Sequence, residues 1–240
     1  MSPEPVAILT RPRGENARLA ARLAAYGIPS RELPCVETSP ADDPSALREA
    51  VRALTGNDLL VITSRVGARA VSAALAGWPC AAPVAVVGPA TASACRDAGL
   101  RVAFQPSSPS GAALAAELPL PRGAILLARS DRATPEPAEI LAARGATVGE
   151  VVAYRTLPVA PPEAVPEGGV VVFASPSAVD GFALAPAPRR IAGVVAIGDA
   201  TATRVRTGLG IDAWVARPDD DEIAAAVRAL VLDRDAVPGR

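Results

Sequence analysis

Apolar residues occur along this chain in short continuous runs, and each run is followed by small polar residues and then by apolar positions at helical spacing. The clearest examples are VVVFASPSAV at 170–179, VVAIGDATATR at 194–204, LLVITSRVGA at 59–68 and VAVVGPATASA at 84–94. Runs of Val, Ile and Leu that do not alternate with polar residues are typical of strands buried on both faces of a parallel sheet. The pattern therefore predicts an α/β fold in which helices flank parallel sheets.

The four runs form two pairs with a nearly constant offset. Ser175 lies 111 positions after Ser64, and Gly198 lies 110 positions after Gly88. Repetition at a fixed offset is the signature of an internal duplication. We therefore expect two similar flavodoxin-like domains.

A second offset relates two extended segments. ELPCVET at 32–38 and EVVAYRT at 150–156 lie 118 positions apart, and both begin with Glu and end with Thr. We interpret them as the two crossings of the chain between the domains, joined as a two-stranded β connector. The predicted divisions are a discontinuous first domain over 1–32 and 158–240, a second domain over 41–149, and connector strands over 33–40 and 150–157.

The individual elements follow from periodicity and from capping residues. The pattern predicts helices over about 15–26, 45–54, 64–75, 89–99, 112–118 and 221–232, and strands over 6–10, 28–32, 59–63, 84–87, 101–104 and 213–216. The acidic run at 219–222 starts the last helix, where the helix dipole favours negative charge. A capping role and a functional acidic patch are both open for this run.

Composition excludes several classes of site. The chain has no histidine, so a Ser-His-Asp triad and imidazole ligands for a metal are excluded. The three cysteines, Cys35, Cys80 and Cys95, are widely spaced, which favours reduced and mostly buried thiols over a metal site or disulfides. The 24 basic and 25 acidic residues and the seven aromatic residues argue against a nucleic-acid surface. No glycine-rich phosphate motif is present.

Hydroxyl, glycine and arginine residues follow the predicted strands. In open α/β sheets ligands bind beyond the carboxyl ends of the strands, and these residue types, with helix N-terminal N–H groups, bind anions. Taken singly, each Ser, Thr or Gly residue is better explained as a cap or turn residue; as a set they predict an anion-binding cleft between the two domains. The candidate ligand-binding residues are Arg11, Arg13, Ser64, Arg65, Gly88, Thr91, Arg129, Ser175, Ser177, Gly198 and Thr201.

The ordered motifs also resemble a known family. AILTRPRGE, the ELP connector, a strand ending in Thr-Ser, VVGPATA, VVAYRT, FASPSAV and AIGDATA together resemble the uroporphyrinogen-III synthase family over essentially the whole chain. The resemblance implies cofactor-free cyclisation of hydroxymethylbilane, a polyanionic linear tetrapyrrole. Loss of its terminal hydroxyl as water and closure through a spiro intermediate would invert ring D and give uroporphyrinogen III.

The same resemblance implies roles for particular residues. Tyr154 matches the family's best-supported tyrosine, and a phenol is protonated at neutral pH and can donate a proton to a leaving hydroxyl. An amphipathic residue at a domain junction is the alternative interpretation of Tyr154. The resemblance further implies that Ser64, Ser175, Thr91 and Thr201 contact the substrate.

Two positions depart from the family pattern. Arg65 stands where the family often has proline, and Asp199 puts a negative charge into the second of the two Gly-x-x-Thr turns. This charge disfavours a carboxylate-binding site at the second turn, and a helix cap is the alternative role of Asp199.

Other functions remain open from sequence alone. The same fold would suit a binding or sensor module that holds an anionic metabolite without turnover, and a flavodoxin-like FMN protein is disfavoured by the shortage of aromatic residues. The N-terminus lacks the pattern of a signal peptide, so we expect a cytoplasmic protein. We further expect a monomer that binds neither nucleic acid nor membrane and receives its substrate from hydroxymethylbilane synthase.

Overall fold

The described chain forms two parallel β-sheets. The computed structural model describes residues 6–186 and 190–232. The chain divides into a first unit, Met1–Glu37 with Leu157–Arg240, and a second unit, Thr38–Thr156.

The strands and helices of the structure confirm the predicted α/β fold with helices flanking parallel sheets. The domain boundaries and the connector assigned from sequence stay predictions, and the ends of the first predicted domain, residues 1–5 and 233–240, lie outside the described residues.

Strands and helices alternate through most of the described residues. The strands are β1 (Ala7–Leu9), β2 (Ser30–Glu32), β3 (Val36–Pro40), β4 (Leu59–Ile62), β5 (Val84–Val86), β6 (Val102–Phe104), β7 (Ile125–Ser130), β8 (Val148–Pro158), β9 (Val170–Phe173), β10 (Gly193–Ile197) and β11 (Trp214–Ala216). The helices are α1 (Ala17–Ala25), α2 (Pro44–Ala53), α3 (Arg65–Leu75), α4 (Pro89–Asp97), α5 (Gly111–Glu117), α6 (Glu136–Ala143), α7 (Pro176–Phe182), α8 (Asp199–Leu209) and α9 (Asp220–Leu232). Helix α6 has no counterpart among the helices expected from periodicity.

The two sheets share an order of five strands, and the second sheet has β3 as a sixth strand at its edge. The strand order is β11-β10-β9-β1-β2 in the first sheet and, read in the same direction, β6-β5-β4-β7-β8-β3 in the second. Ala7 is the register partner of Val170, and Ile125 is the register partner of Leu59. These pairs are related by the offsets of 118 and 111 positions found in the sequence. The repeated pattern therefore corresponds to equivalent strands with equivalent pairing.

Each sheet is buried on both faces, as the continuous apolar runs predict. In the first sheet, Val170 and Val172 point to a core shared with α1 and α9, whereas Val171 and Phe173 point to a core shared with α7 and α8. In the second sheet, the corresponding cores are covered by α2, α3 and α4 on one face and by α5 and α6 on the other. Adjacent residues of one strand thus contact helices on opposite sides.

Asp219, the first residue of the acidic run, caps α9. The Asp219 carboxylate accepts hydrogen bonds from the backbone N–H groups of Asp221 at 3.0 Å and Glu222 at 2.9 Å. These groups would otherwise lack partners in the first turn of the helix. The capping interpretation is therefore confirmed.

The cysteines are free thiols. Cys35 and Cys95 are buried and Cys80 is partly buried. Burial raises the pKa of the Cys35 thiol to about 12 and that of the Cys95 thiol to about 11. Because the thiolate is the reactive form, both side chains are packing groups rather than nucleophiles.

Within residues 6–186 and 190–232, no helix combines the length and the apolar character needed to cross a membrane.

Candidate active site

Tyr154 lies at the carboxyl end of the second sheet, where β8 passes the start of α3. Its ring packs against the core formed with α2 and α3, so the side chain is half-buried. Its hydroxyl oxygen lies 2.9 Å from Ser64 Oγ, a hydrogen bond in which either atom can donate. The fold thus joins two of the residues assigned to the site from sequence, although 90 positions separate them.

Ser64 connects this tyrosine to a helix N-terminus. It is the N-cap of α3, and its Oγ accepts a hydrogen bond of 2.9 Å from the Gly67 backbone N–H. A side chain at Gly67 would crowd Ser64, since a Cβ there would lie 3.2 Å from Ser64 Oγ. The start of a helix carries a partial positive charge. A charge on the tyrosine oxygen would therefore be stabilised through Ser64.

Hydrogen bonds at the end of β7 hold the backbone around Tyr154. Ser130 Oγ lies 2.8 Å from Thr156 Oγ1, and the Thr156 N–H donates to Asp131 Oδ1 at 2.9 Å. The Asp131 N–H in turn donates to the carbonyl oxygen of Tyr154 at 3.2 Å. Sequence reasoning missed Asp131 and Thr156 as positioning residues. Their place at the ends of two apolar segments was the available signal.

Arg155, the neighbour of Tyr154, is paired with carboxylates of the same unit. One guanidinium nitrogen donates to Asp42 Oδ1 at 2.8 Å, and its Nε lies 3.7 Å from Asp131 Oδ2. The side chain is 40% exposed, so solvent screens these pairs and their contribution to stability is small.

The structure surrounds Arg129 with protein partners. Its Nε and one terminal nitrogen donate to the Glu150 carboxylate, the former at 2.9 Å, and the other terminal nitrogen donates to the Thr134 carbonyl at 2.6 Å. Only 7% of Arg129 is exposed. These contacts support a role in holding the loop after β7. The binding role expected from sequence stays a prediction.

Replacement of Arg129 by Gln separates the two roles. We expect a loss of about 1–3 kcal/mol in the free energy of unfolding, because the Thr134 carbonyl and Glu150 lose a charged donor. The measurements are urea unfolding and KM for a polyanionic substrate at low and high salt. Glu150→Gln is the matched control, since it removes the pair but keeps the arginine. A large rise in KM at low salt only, with unchanged stability, would contradict the structural role.

Arg11 occupies the position equivalent to Arg129 in the first unit, 118 residues earlier. It also pairs within its own unit, with Asp220 Oδ1 at 3.3 Å, and it is 19% exposed. Arg13 lies on the same loop and is exposed. Each of the two duplicated arginines thus lies at the end of a strand and pairs with a carboxylate of its own unit.

The remaining candidates of the first unit lie at the starts of α7 and α8. Ser175 caps α7 through its hydroxyl, which accepts from the Ala178 N–H at 3.3 Å. Ser177 and Thr201 are buried. Gly198 precedes α8 with φ of +79°, a conformation that favours glycine.

The remaining candidates of the second unit lie at the starts of α3 and α4. Gly88 is the N-cap of α4, and its φ of −174° is extended, so it differs in conformation from its duplicate Gly198. Thr91 is buried in the first turn of α4, and Arg65 is partly buried in that of α3. Each unit therefore gathers its own candidates at the carboxyl edge of its sheet.

Comparison with known proteins agrees with this geometry. The family model described as uroporphyrinogen-III synthase HemD matches residues 17–225. The chain belongs to the uroporphyrinogen-III synthase family. It is 31% identical over 270 residues to the chloroplastic uroporphyrinogen-III synthase of Oryza sativa subsp. japonica, covering 99% of this chain and 85% of that protein. Membership in this family makes the chain a cyclase of tetrapyrrole synthesis.

Solved structures of this family share the fold. A mutant uroporphyrinogen III synthase from the extremely thermophilic bacterium Thermus thermophilus superposes with a TM-score of 0.60 at 21% identity, covering 96% of this chain and 100% of that one. Uroporphyrinogen-III synthetase from Helicobacter pylori gives a TM-score of 0.63 at 17% identity, with 94% and 99% covered. The fold expected from the sequence resemblance is therefore confirmed.

Proposed function

We propose that the chain closes hydroxymethylbilane to uroporphyrinogen III and that Tyr154 donates the proton to the hydroxyl that leaves as water. The observation that supports this role is the chain of hydrogen bonds from the Gly67 N–H through Ser64 to the Tyr154 hydroxyl. A general acid must lie within hydrogen-bonding reach of the group that it protonates. Tyr154 is placed at the sheet edge where ligands of α/β folds bind.

The direction of the hydrogen bonds suits a donor. Because Ser64 Oγ already accepts from the Gly67 N–H, its own hydrogen can point to the Tyr154 oxygen. The phenolic hydrogen can then point away from Ser64, toward the substrate. After the transfer, the phenolate would accept from Ser64 close to the positive end of α3. The protonated hydroxyl of the substrate thus leaves as water, which is a far better leaving group than hydroxide.

Binding of the substrate is assigned to the helix starts. The backbone N–H groups at the beginning of α3, α4 and α8 suit carboxylate groups of the polyanion. Ser64, Arg65, Gly88 and Thr91 would contribute from the second unit. From the first unit, Ser175, Ser177, Gly198 and Thr201 would contribute. Holding the bilane in a folded conformation would favour closure with inversion of ring D over direct closure.

We further propose that the enzyme is a cytoplasmic monomer that receives its substrate from hydroxymethylbilane synthase. The presence of two similar units in one polypeptide supports a monomer. Sedimentation measurements with and without hydroxymethylbilane synthase would detect both a dimer and a stable hand-over complex.

A coupled assay tests the proposed reaction. Hydroxymethylbilane is generated in situ with and without this protein, and the oxidised products are separated into the type I and type III isomers. We expect type III to predominate only when the protein is present. Type I alone from protein with a native circular dichroism spectrum would refute the reaction and favour a binding module.

A further inference from the structure

A buried amide in the first unit has no hydrogen-bond partner among the described residues. Asn16 is 1% exposed, and both its side-chain oxygen and its side-chain nitrogen are buried and unpaired. In the described part of the chain, no other residue has buried side-chain atoms of this kind. An unpaired buried amide destabilises the folded chain, so its presence requires an explanation.

Asn16 lies where α1 begins, at the carboxyl edge of the first sheet. It directly precedes the helix, and its backbone carbonyl oxygen accepts from the Ala20 N–H at 2.8 Å. Leu19 and Leu23 follow it by three and seven residues, and both belong to the core between α1 and the sheet. Residues at this spacing share one face of a helix. The amide therefore lies at the end of the buried face of α1.

Asn16 does not cap the helix that it precedes. Its backbone angles, φ of −103° and ψ of −7°, are in the helical region, and its side chain makes no capping hydrogen bond. In contrast, the polar residues that precede α2, α3, α5 and α7 accept from the first turns of those helices. The first turn of α1 also contains no acidic residue. The positive end of this helix dipole therefore suits an external anion.

The strand order places the start of α1 at a switch point of the first sheet. The chain runs from β1 through α1 to β2 on one side, and from β9 through α7 to β10 on the other. Helices α1 and α7 pack on opposite faces of the sheet. This arrangement leaves a crevice beyond the ends of β1 and β9, where ligands of such sheets bind. The loop that follows β1 and ends at Asn16 borders this crevice.

We propose that the start of α1 is an oxyanion-binding site in which the Asn16 side chain is the buried donor. The oxyanion is either a carboxylate of the tetrapyrrole, which rests on the proposed function, or free phosphate. Both present charged oxygen atoms to N–H donors. Binding gives the Asn16 amide the partner that it lacks in the unbound protein, so the cost of the unpaired amide is recovered when the ligand binds.

A small turn before Asn16 would have to open to admit the oxyanion. The turn is closed by a hydrogen bond of 3.1 Å from the Glu15 N–H to the Pro12 carbonyl oxygen. Arg13 and Gly14, at its tip, are exposed. The backbone before the turn is anchored, because the Thr10 hydroxyl donates to the Val172 carbonyl oxygen at 2.7 Å. Opening can therefore be confined to the turn and leave the sheet unchanged.

Replacement of Asn16 by Leu tests the unbound protein. Leucine has nearly the same size and no polar atom, so the variant should unfold at a higher urea concentration than the wild type. Asn57→Leu is the matched control, since Asn57 is the other asparagine of the chain and is exposed. Its midpoint should stay close to that of the wild type. A lower midpoint for Asn16→Leu would show that the amide is already paired and would overturn the proposal.

The side-chain amides of the chain report binding directly. Only Asn16, Asn57 and Gln105 carry such amides, and the last two are exposed. In a ¹H–¹⁵N spectrum, the NH₂ pair that is missing from Asn16→Leu belongs to Asn16. The probes are uroporphyrin III, the oxidised form of the proposed product, and inorganic phosphate. We expect the Asn16 pair to shift on titration and the other two to stay in place. An Asn16 pair that moves with neither probe would overturn the site.

Kinetics identify the source of the oxyanion. If a substrate carboxylate occupies the site, KM of Asn16→Leu for hydroxymethylbilane should rise about tenfold with little change in kcat, because a hydrogen bond to a charged group is lost in the ground state and the transition state alike. A shift with phosphate alone, together with an unchanged KM, would assign the site to free phosphate. Absence of type III formation by the wild type would overturn the proposed reaction and leave the oxyanion site standing, since the shift of the Asn16 pair does not depend on turnover.

Discussion

Replacement of Tyr154 by Phe is expected to lower kcat about a hundredfold while KM changes little, because general acid catalysis contributes at least this much to a proton transfer. The ring would keep its packing against the core and lose only the hydroxyl that contacts Ser64. Loss of that hydrogen bond should cost about 1 kcal/mol of stability, so the variant should fold. Steady-state kinetics with separation of the isomers is the measurement.

The chain offers a matched control for this substitution. Its other tyrosine, Tyr26, is 44% exposed at the end of α1, so Tyr26→Phe should leave kcat unchanged. Ser64→Ala tests the partner of Tyr154 and should give a smaller loss of kcat, because the phenol remains. Wild-type turnover by Tyr154→Phe would show that the tyrosine is a packing residue and that the donor lies elsewhere.

The largest effect on stability is expected from Gly181→Ala. A Cβ at Gly181 would lie 2.6 Å from the Val159 carbonyl oxygen and closer still to that of Cys35. These oxygens belong to backbone that is itself paired, since the Val159 N–H donates to the Cys35 carbonyl oxygen at 3.0 Å. Relief of the clash would require α7 to move off this backbone. We expect a loss of about 3 kcal/mol or more in the free energy of unfolding.

Gly208→Ala is the control, with an effect of opposite sign. Gly208 lies exposed inside α8, and a Cβ there would contact only the Arg204 side chain, at 3.3 Å. Alanine should therefore stabilise the helix by up to about 1 kcal/mol. Urea denaturation of both variants measures the difference. Equal midpoints for the two would mean that the backbone at Cys35 and Val159 yields readily to α7.

Most of the fold could be predicted from the local pattern of apolar residues and from the internal repetition. Apolar runs such as 59–62 and 170–173 contain no polar residue and are followed by polar residues. This pattern identifies strands that are buried on both faces. The two offsets predicted two similar domains, and the structure adds that the equivalent strands pair in equivalent register. Helix α6 escaped notice because its apolar spacing is weak.

For the candidate site, the sequence identified residues but did not show which of them are in contact. Tyr154 and Ser64 were identified from motifs, but their contact required β8 and the start of α3 to meet, which depends on residues 90 positions apart. Arg129 was assigned to ligand binding from its place after a strand. Its burial against Glu150 depends on the neighbouring strand, whose contribution is invisible in the local sequence.

The sequence by itself determined the α/β class, the duplication, the position of the strands and the family, because these depend on periodicity and on motifs in order along the chain. Only the tertiary structure decided which polar side chains face one another. It placed Asp131 and Thr156 behind Tyr154 and opened a cavity between α2 and α3 beside it. The physical reason is that hydrogen bonds and cavities form between elements distant in sequence, and their geometry is set by packing rather than by local preference.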